Sequence, residues 1–206
     1  MRPDLIEGES FRIILEELGP AAPPWPRLPI VQRVIHATAD VEFAERLAFS
    51  PTAIDDAVAA LRAGRPVITD VTMVACGVSR GHAAGLGSQV RCAVHEPETL
   101  ALARELGITR SAAAVRRLAP ELPGAVVAIG NAPTALREVV RLASEGVRPA
   151  VVVGVPVGFV DAAESKAALA GTDLAWITCA GRKGGSTVAA AIVNALLRLA
   201  TDPARA

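Results

Sequence analysis

The sequence predicts a three-layer α/β fold built on a doubly wound, mostly parallel sheet of five strands. Three observations predict it. Short apolar runs recur at Pro66–Val71, Gln89–Val94, Val126–Ile129, Ala150–Val155 and Leu174–Cys179. Such runs, bounded by turn residues, suit strands buried on both faces. Helical patterns separate them, and strand–helix–strand units cross over right-handedly to place strands parallel. Polar residues cluster just past two of the strand ends: Asn131 and Thr134 after one, Glu164, Ser165 and Lys166 after the next. That edge is where open α/β sheets bind ligands.

Bulk properties narrow the classes. At 206 residues the chain has room for one packed domain. A single domain over 1–206 is expected, with 1–29 an N-terminal helix and Pro-rich connector. Half the residues are apolar but only 3% are aromatic, so small and β-branched side chains must build the core. The 21 basic residues balance 21 acidic ones with no basic stripe, which argues against a nucleic-acid partner. Cys76, Cys92 and Cys179 are odd in number and too far apart for a metal motif, as suits reduced thiols. No apolar run reaches membrane-spanning length and no leader-like segment opens the chain. A soluble cytoplasmic protein with no membrane partner and no metal is expected.

Each element has a local reason. Ile6–Leu18 starts polar and becomes amphipathic, as a helix would. Gly19–Pro29 holds five prolines and reads as a connector. Ile30–Ala37 repeats its apolar residues at helical spacing, with Arg33 and His36 on one face. Ser50-Pro51 supplies a cap and a first-turn proline for a helix through Ile54, Val58 and Leu61, stopped by Gly64. Pro66–Val71 is the first strand, with Asp70 near its carboxyl end, and Gln89–Val94 the second. Glu98–Leu106 and Ser111–Leu118 are helices, the former ended by Gly107. Strand Val126–Ile129, helix Thr134–Ser144, strand Ala150–Val155, helix Ala162–Ala170 and strand Leu174–Cys179 follow. The loop GRKGGS (Gly181–Ser186) and a last helix, Thr187–Leu199, close the chain. The whole is of the flavodoxin-like type.

Few residues offer chemistry. His95 follows a strand beside Glu96 and Pro97, and His82 lies in SRGHAAG; both suit solvated surface. His36 has two readings: a satisfied, half-buried histidine, or a proton donor near the cationic anchor Arg33. GRKGGS presents backbone N–H groups at a helix start beside Arg182 and Lys183, which favours anions; a tight turn with two solvated cations reads equally well. Its Lys precedes the glycine pair, so it is not a P-loop. GNAPTAL brings Asn131 to a helix entry, where ordinary capping also fits. Thr109-Arg110-Ser111 starts a helix with an anchoring Arg. Asp70 is either catalytic or a cap for the MVACG segment beyond it. A Ser/His/Asp motif, HExxH, CxxC and a GxGxxG fingerprint are all absent. A small-molecule enzyme and a binder of a polyanionic ligand both remain open at this point, and scarce aromatics argue against a flavin.

Seven segments, in order and at compatible spacings, resemble the precorrin-8X methylmutase family of corrin biosynthesis. They are ESFRII (Glu9–Ile14), RVIHATAD (Arg33–Asp40), FSP (Phe49–Pro51), TRSAAA (Thr109–Ala114), VVAIGNAPTAL (Val126–Leu136), GVPVGFVDAAESK (Gly154–Lys166) and GRKGGS. The resemblance implies an isomerase that moves a methyl group from C-11 to C-12 of precorrin-8X, giving hydrogenobyrinic acid, or does the same to cobalt-precorrin-8. It implies no cofactor and a homodimer with sites near the subunit interface. It places the catalytic proton donor at His36 and substrate contacts at Ser10 and Arg33; the anion-favouring loops and helix starts add Arg110, Asn131, Arg182, Gly184 and Ser186 as candidate contacts for the substrate's carboxylates. A non-catalytic corrinoid or tetrapyrrole carrier is the alternative of the same fold. Two departures from the family pattern stand out: Thr72 replaces an acidic residue in DVTMV, and Ser88-Gln89 replaces a usual Asn-Glu pair.

Overall fold

The computed structural model describes residues 3–202. In chain order, α1 is Pro3–Leu18, α2 Leu28–Thr38, α3 Phe43–Arg46, β1 Leu47–Phe49, α4 Ala53–Arg62, β2 Val67–Thr69, α5 Thr72–Gly77, α6 Arg80–Gly85 and β3 Val90–Arg91. Then come α7 Pro97–Leu106, α8 Arg110–Arg117, β4 Val126–Ile129, α9 Pro133–Ser144, β5 Val151–Gly154, α10 Ala162–Ala170, β6 Trp176–Cys179 and α11 Ser186–Thr201.

The five predicted strands form one parallel sheet in the order β3-β2-β4-β5-β6. This is the flavodoxin-type order, with the topological switch between β2 and β4. A sixth strand, β1, extends the sheet. It pairs antiparallel with β6, Leu47 opposite Cys179 and Phe49 opposite Ile177. Ser50 continues that pairing instead of capping α4. Its N–H donates to the Trp176 carbonyl and its hydroxyl accepts from the Trp176 N–H at 2.8 Å. The predicted connector is also shorter than expected, because Pro29 belongs to the first turn of α2.

Strand side chains alternate between two cores. Val126, Ala128, Val151, Val153, Ile177 and Cys179 pack with α2, α4 and α11. Val127, Ile129 and Val152 pack with α8 and α9 and with Leu169 of α10. Helix α11 is the centre of the first core. It is buried on nearly every face, and α2, α4 and α5 pack against it. Its small residues let it come close to the sheet. At Gly130, just past β4, a Cβ would sit 2.8 Å from the Ser186 backbone and 2.9 Å from Ala189. The start of α11 is therefore pinned beside the carboxyl end of β4. Among the described residues, no helix is long and apolar enough to cross a membrane.

Candidate active site

Helix α2 buries Ile30, Val31, Val34 and Ile35. That burial turns Arg33 and His36 to the opposite face, toward α1. His36 is exposed, not half-buried. Its Nδ1 lies 2.7 Å from the Ser10 hydroxyl. Its ring meets Phe11 edge-on, with centroids 5.6 Å apart. If the Ser10 hydroxyl donates to Nδ1, the imidazole proton sits on Nε2, the outer nitrogen. Arg33 is held beside it. Its guanidinium pairs with Glu7 at 2.8 Å and stacks 5.2 Å from the Phe11 ring centre. Burial lowers the Arg33 pKa, which for a guanidinium leaves the charge in place. Burial also works to raise Glu7, but Arg33 and Arg198 overcome it and hold the carboxylate below its ordinary value.

His36 stands on a ridge between two hollows. The first, about 450 Å³, is mostly apolar, with Ile6, Ile13, Ile35 and Val41 around Ser10 and His36. The second, about 260 Å³, is lined by Arg33, His36, Met73, Ser186, Thr187 and Asn194 among others. Ser186 opens α11, so the positive end of a 16-residue helix borders the second hollow. The ridge thus offers one imidazole between a mostly apolar wall, which also carries Glu9 and Glu17, and a cationic, hydroxyl-bearing one.

The structure brings Ser10, Arg33, His36 and Ser186 together. It does not bring Arg110, Asn131, Arg182 or Gly184 into those two hollows. Arg110 and Asn131 line a third hollow of about 520 Å³ at the sheet's switch point, together with His95 and Thr134. Arg182 stacks over the exposed Phe159 ring at 5.3 Å. Gly184 packs under the loop, where a Cβ would lie 2.2 Å from the Val155 carbonyl oxygen. Lys183 is not a free anion-binding cation, since it pairs with Asp40 at 2.6 Å and Glu42 at 3.1 Å.

Asp70 takes neither predicted role. It is fully buried and accepts the N–H groups of Gly130, Asn131 and Ala132 at 3.1, 2.8 and 2.7 Å. It caps the entry to α9 across the β2–β4 pair, not the segment after its own strand. Burial pushes its carboxyl up while the three N–H groups pull it down. Those N–H groups are spent on Asp70, so the entry to α9 has little to offer an external anion. His82 is half-buried, not exposed, and bonds the Ser79 hydroxyl at 2.8 Å. Of the departures, Thr72 is exposed in the first turn of α5 next to Met73. Ser88 is buried with its hydroxyl toward the Leu61 carbonyl.

Two residues at the site, Glu7 and Asn194, were not singled out, and Lys166 was noted only as polar past a strand end. Glu7 anchors Arg33. Asn194 accepts from the Ser79 N–H and donates to the Gly77 carbonyl, holding α5 and α6 beside the second hollow. Lys166 is buried beneath GRKGGS. Asn194 carried a signal: it is the one amide in the apolar run VAAAIVNALL.

Known proteins resemble this chain over nearly its whole length. The family model described as "Precorrin-8X methylmutase" matches residues 5–199. A cobalt-precorrin-8 methylmutase of Priestia megaterium is 44% identical over 201 residues, covering 97% of this chain and 89% of that protein. A precorrin-8X methylmutase of Pseudomonas aeruginosa is 44% identical over 194 residues, covering 93% of each. The solved structure of a precorrin-8X methylmutase from Thermus thermophilus superposes with a TM-score of 0.91 at 42% identity, covering 97% of both chains. The chain belongs to the precorrin-8X methylmutase family.

Proposed function

We propose that this methylmutase of cobalamin biosynthesis moves a methyl group from C-11 to C-12 of precorrin-8X or cobalt-precorrin-8, with His36 as the proton donor. The observation that carries the reading is the Ser10–His36 hydrogen bond on the ridge between the two hollows. A rearrangement that exchanges no atoms with solvent asks little of a protein. It needs a shaped, water-poor pocket and one placed proton. Ser10 fixes the imidazole so that Nε2 addresses the macrocycle, at the ring C nitrogen beside the migrating methyl. A proton or hydrogen bond there draws electron density from the ring and eases migration. The proton returns to Nε2 once the methyl has moved.

The remaining contacts serve the substrate's acetate and propionate groups. Arg33 and the Ser186 hydroxyl suit a carboxylate next to His36. Arg110, Asn131, Arg182 and the Gly184 loop belong to the same reading as contacts for carboxylates farther round the macrocycle. A homodimer is part of the proposal, because Phe159, Val160 and Met73 are 86%, 83% and 71% exposed and ask for apolar cover. A single cytoplasmic domain and no added cofactor complete it.

The test is conversion of precorrin-8X carrying a carbon-13 label in the migrating methyl. Transfer of the label from C-11 to C-12, with no change in mass, is the expected result. Tight binding of the tetrapyrrole with no transfer would make the protein a carrier instead.

A further inference from the structure

Lys166 is a buried amine without an acid. Its side chain is in α10 and only 2% exposed. Among the described residues no carboxylate lies within ion-pairing distance of it. An unpaired buried ammonium is costly, and an apolar side chain would fill the space at lower cost. The amine has two partners. It donates to the Lys183 carbonyl at 2.6 Å and approaches the Cys179 sulfur at 3.6 Å. The Cys179 thiol donates to the same carbonyl at 3.0 Å. Two buried donors thus converge on one backbone oxygen of GRKGGS.

That oxygen sits at a junction. The Lys183 side chain pairs with Asp40 and Glu42, in the turn that follows the helix carrying His36. The next residue, Gly184, is held against Val155 in a conformation with φ near 147° that L side chains rarely adopt. Gly185 then donates to the Val155 carbonyl at 2.8 Å, and Ser186 enters the second hollow. The backbone from 183 to 186 therefore has little freedom once the Lys183 carbonyl is fixed.

We infer that Lys166 is a positioning residue: its buried amine clamps the Lys183 carbonyl and so sets where Ser186 and the start of α11 stand relative to Arg33 and His36. The effect on turnover rests on the methylmutase reading; the clamp itself does not. Burial lowers the Lys166 pKa, in keeping with an amine that works as a hydrogen-bond donor and not as a surface charge.

The test uses the full chain with Lys166→Met, which removes the donor and keeps the length, and Lys166→Gln, which keeps an uncharged donor. Trypsin nicking after Arg182 and Lys183 reports the loop directly. The clamp predicts that Lys166→Met retains the wild-type melting temperature yet is nicked about 10-fold faster, since local opening governs such cleavage. It predicts a similar loss in kcat/KM, carried mainly by KM. Lys166→Gln should recover both in part. Wild-type nicking and wild-type kcat/KM in Lys166→Met would overturn the inference. So would a Gln variant no better than Met, or failure of both variants to fold, which would assign the amine to stability alone. If the wild type turns nothing over, the methylmutase reading fails and the nicking rates still decide the clamp.

Discussion

Asp70→Ala is the substitution whose cost the structure sets out most plainly. Asp70 has no exposed surface, and its two carboxylate oxygens take three backbone N–H groups from the β4–α9 loop. Hydrogen bonds to a charged acceptor are worth about 1.5–3 kcal/mol each in mutational terms. They do not sum here, because one buried carboxylate serves all three and its dehydration costs several kcal/mol, roughly offsetting one or two of them. What Ala leaves behind is three N–H groups with no partner, two of them on buried residues, Gly130 and Ala132. Leaving a buried donor unpaired costs about 1–3 kcal/mol. The net expectation is a loss of about 3–4 kcal/mol. Urea denaturation of wild type and variant, followed by circular dichroism, measures it. The slope should hold and the midpoint should fall. A loss below about 1 kcal/mol would refute the reasoning, since it would mean the three N–H groups find other partners without effort.

Three further outcomes follow from the same structure. Glu138, 7% exposed between Arg116 and Arg141, is held down to about 2 from an ordinary 4.5. Its folded pKa is depressed, so its contribution is present above pH 4.5 and lost as pH falls toward 2, up to about 3 kcal/mol; Glu138→Gln should flatten the stability–pH curve in that window, as acid titration of unfolding would show. Gly184→Ala forces a Cβ to 2.2 Å from the Val155 oxygen at a φ near 147°, so thermal denaturation should reveal a loss of about 3 kcal/mol or more. Ser10→Ala frees the His36 ring while leaving the core intact; steady-state kinetics should show kcat down about 10-fold with KM little changed.

The parallel sheet was legible because its evidence is local. Val126–Ile129 and Ala150–Val155 are unbroken apolar runs, and a strand buried on both faces needs nothing else. Strand β1 escaped notice because Leu47–Phe49 has three residues and no alternation, and the strand it pairs with, β6, lies some 130 positions away. Ser50 misled for a related reason. Its sequence neighbours made it look like a helix cap, while Trp176 claimed both its backbone and its hydroxyl. Asp70 follows the same pattern: a carboxylate at a strand end can cap its own loop or the neighbouring one, and strand order decides which. At the site, the Arg33–His36 spacing was visible as one helix face. Ser10 joins His36 through the packing of α1 on α2, which periodicity does not register. Arg110 and Asn131 illustrate the converse. Both sit at the strand-end edge expected to bind ligands, yet topology assigns them to the β2–β4 switch point and His36 to the face covered by α2.

The most direct test of the central claim is a single-turnover comparison of the wild type with His36→Ala, each saturated with precorrin-8X and followed by visible absorbance. If His36 supplies the proton, the variant binds the substrate with unchanged affinity and rearranges it about 100-fold more slowly or worse, the range expected for loss of a general acid. Rearrangement at the wild-type rate would remove His36 from the chemistry and leave the ridge between the two hollows as a binding surface only.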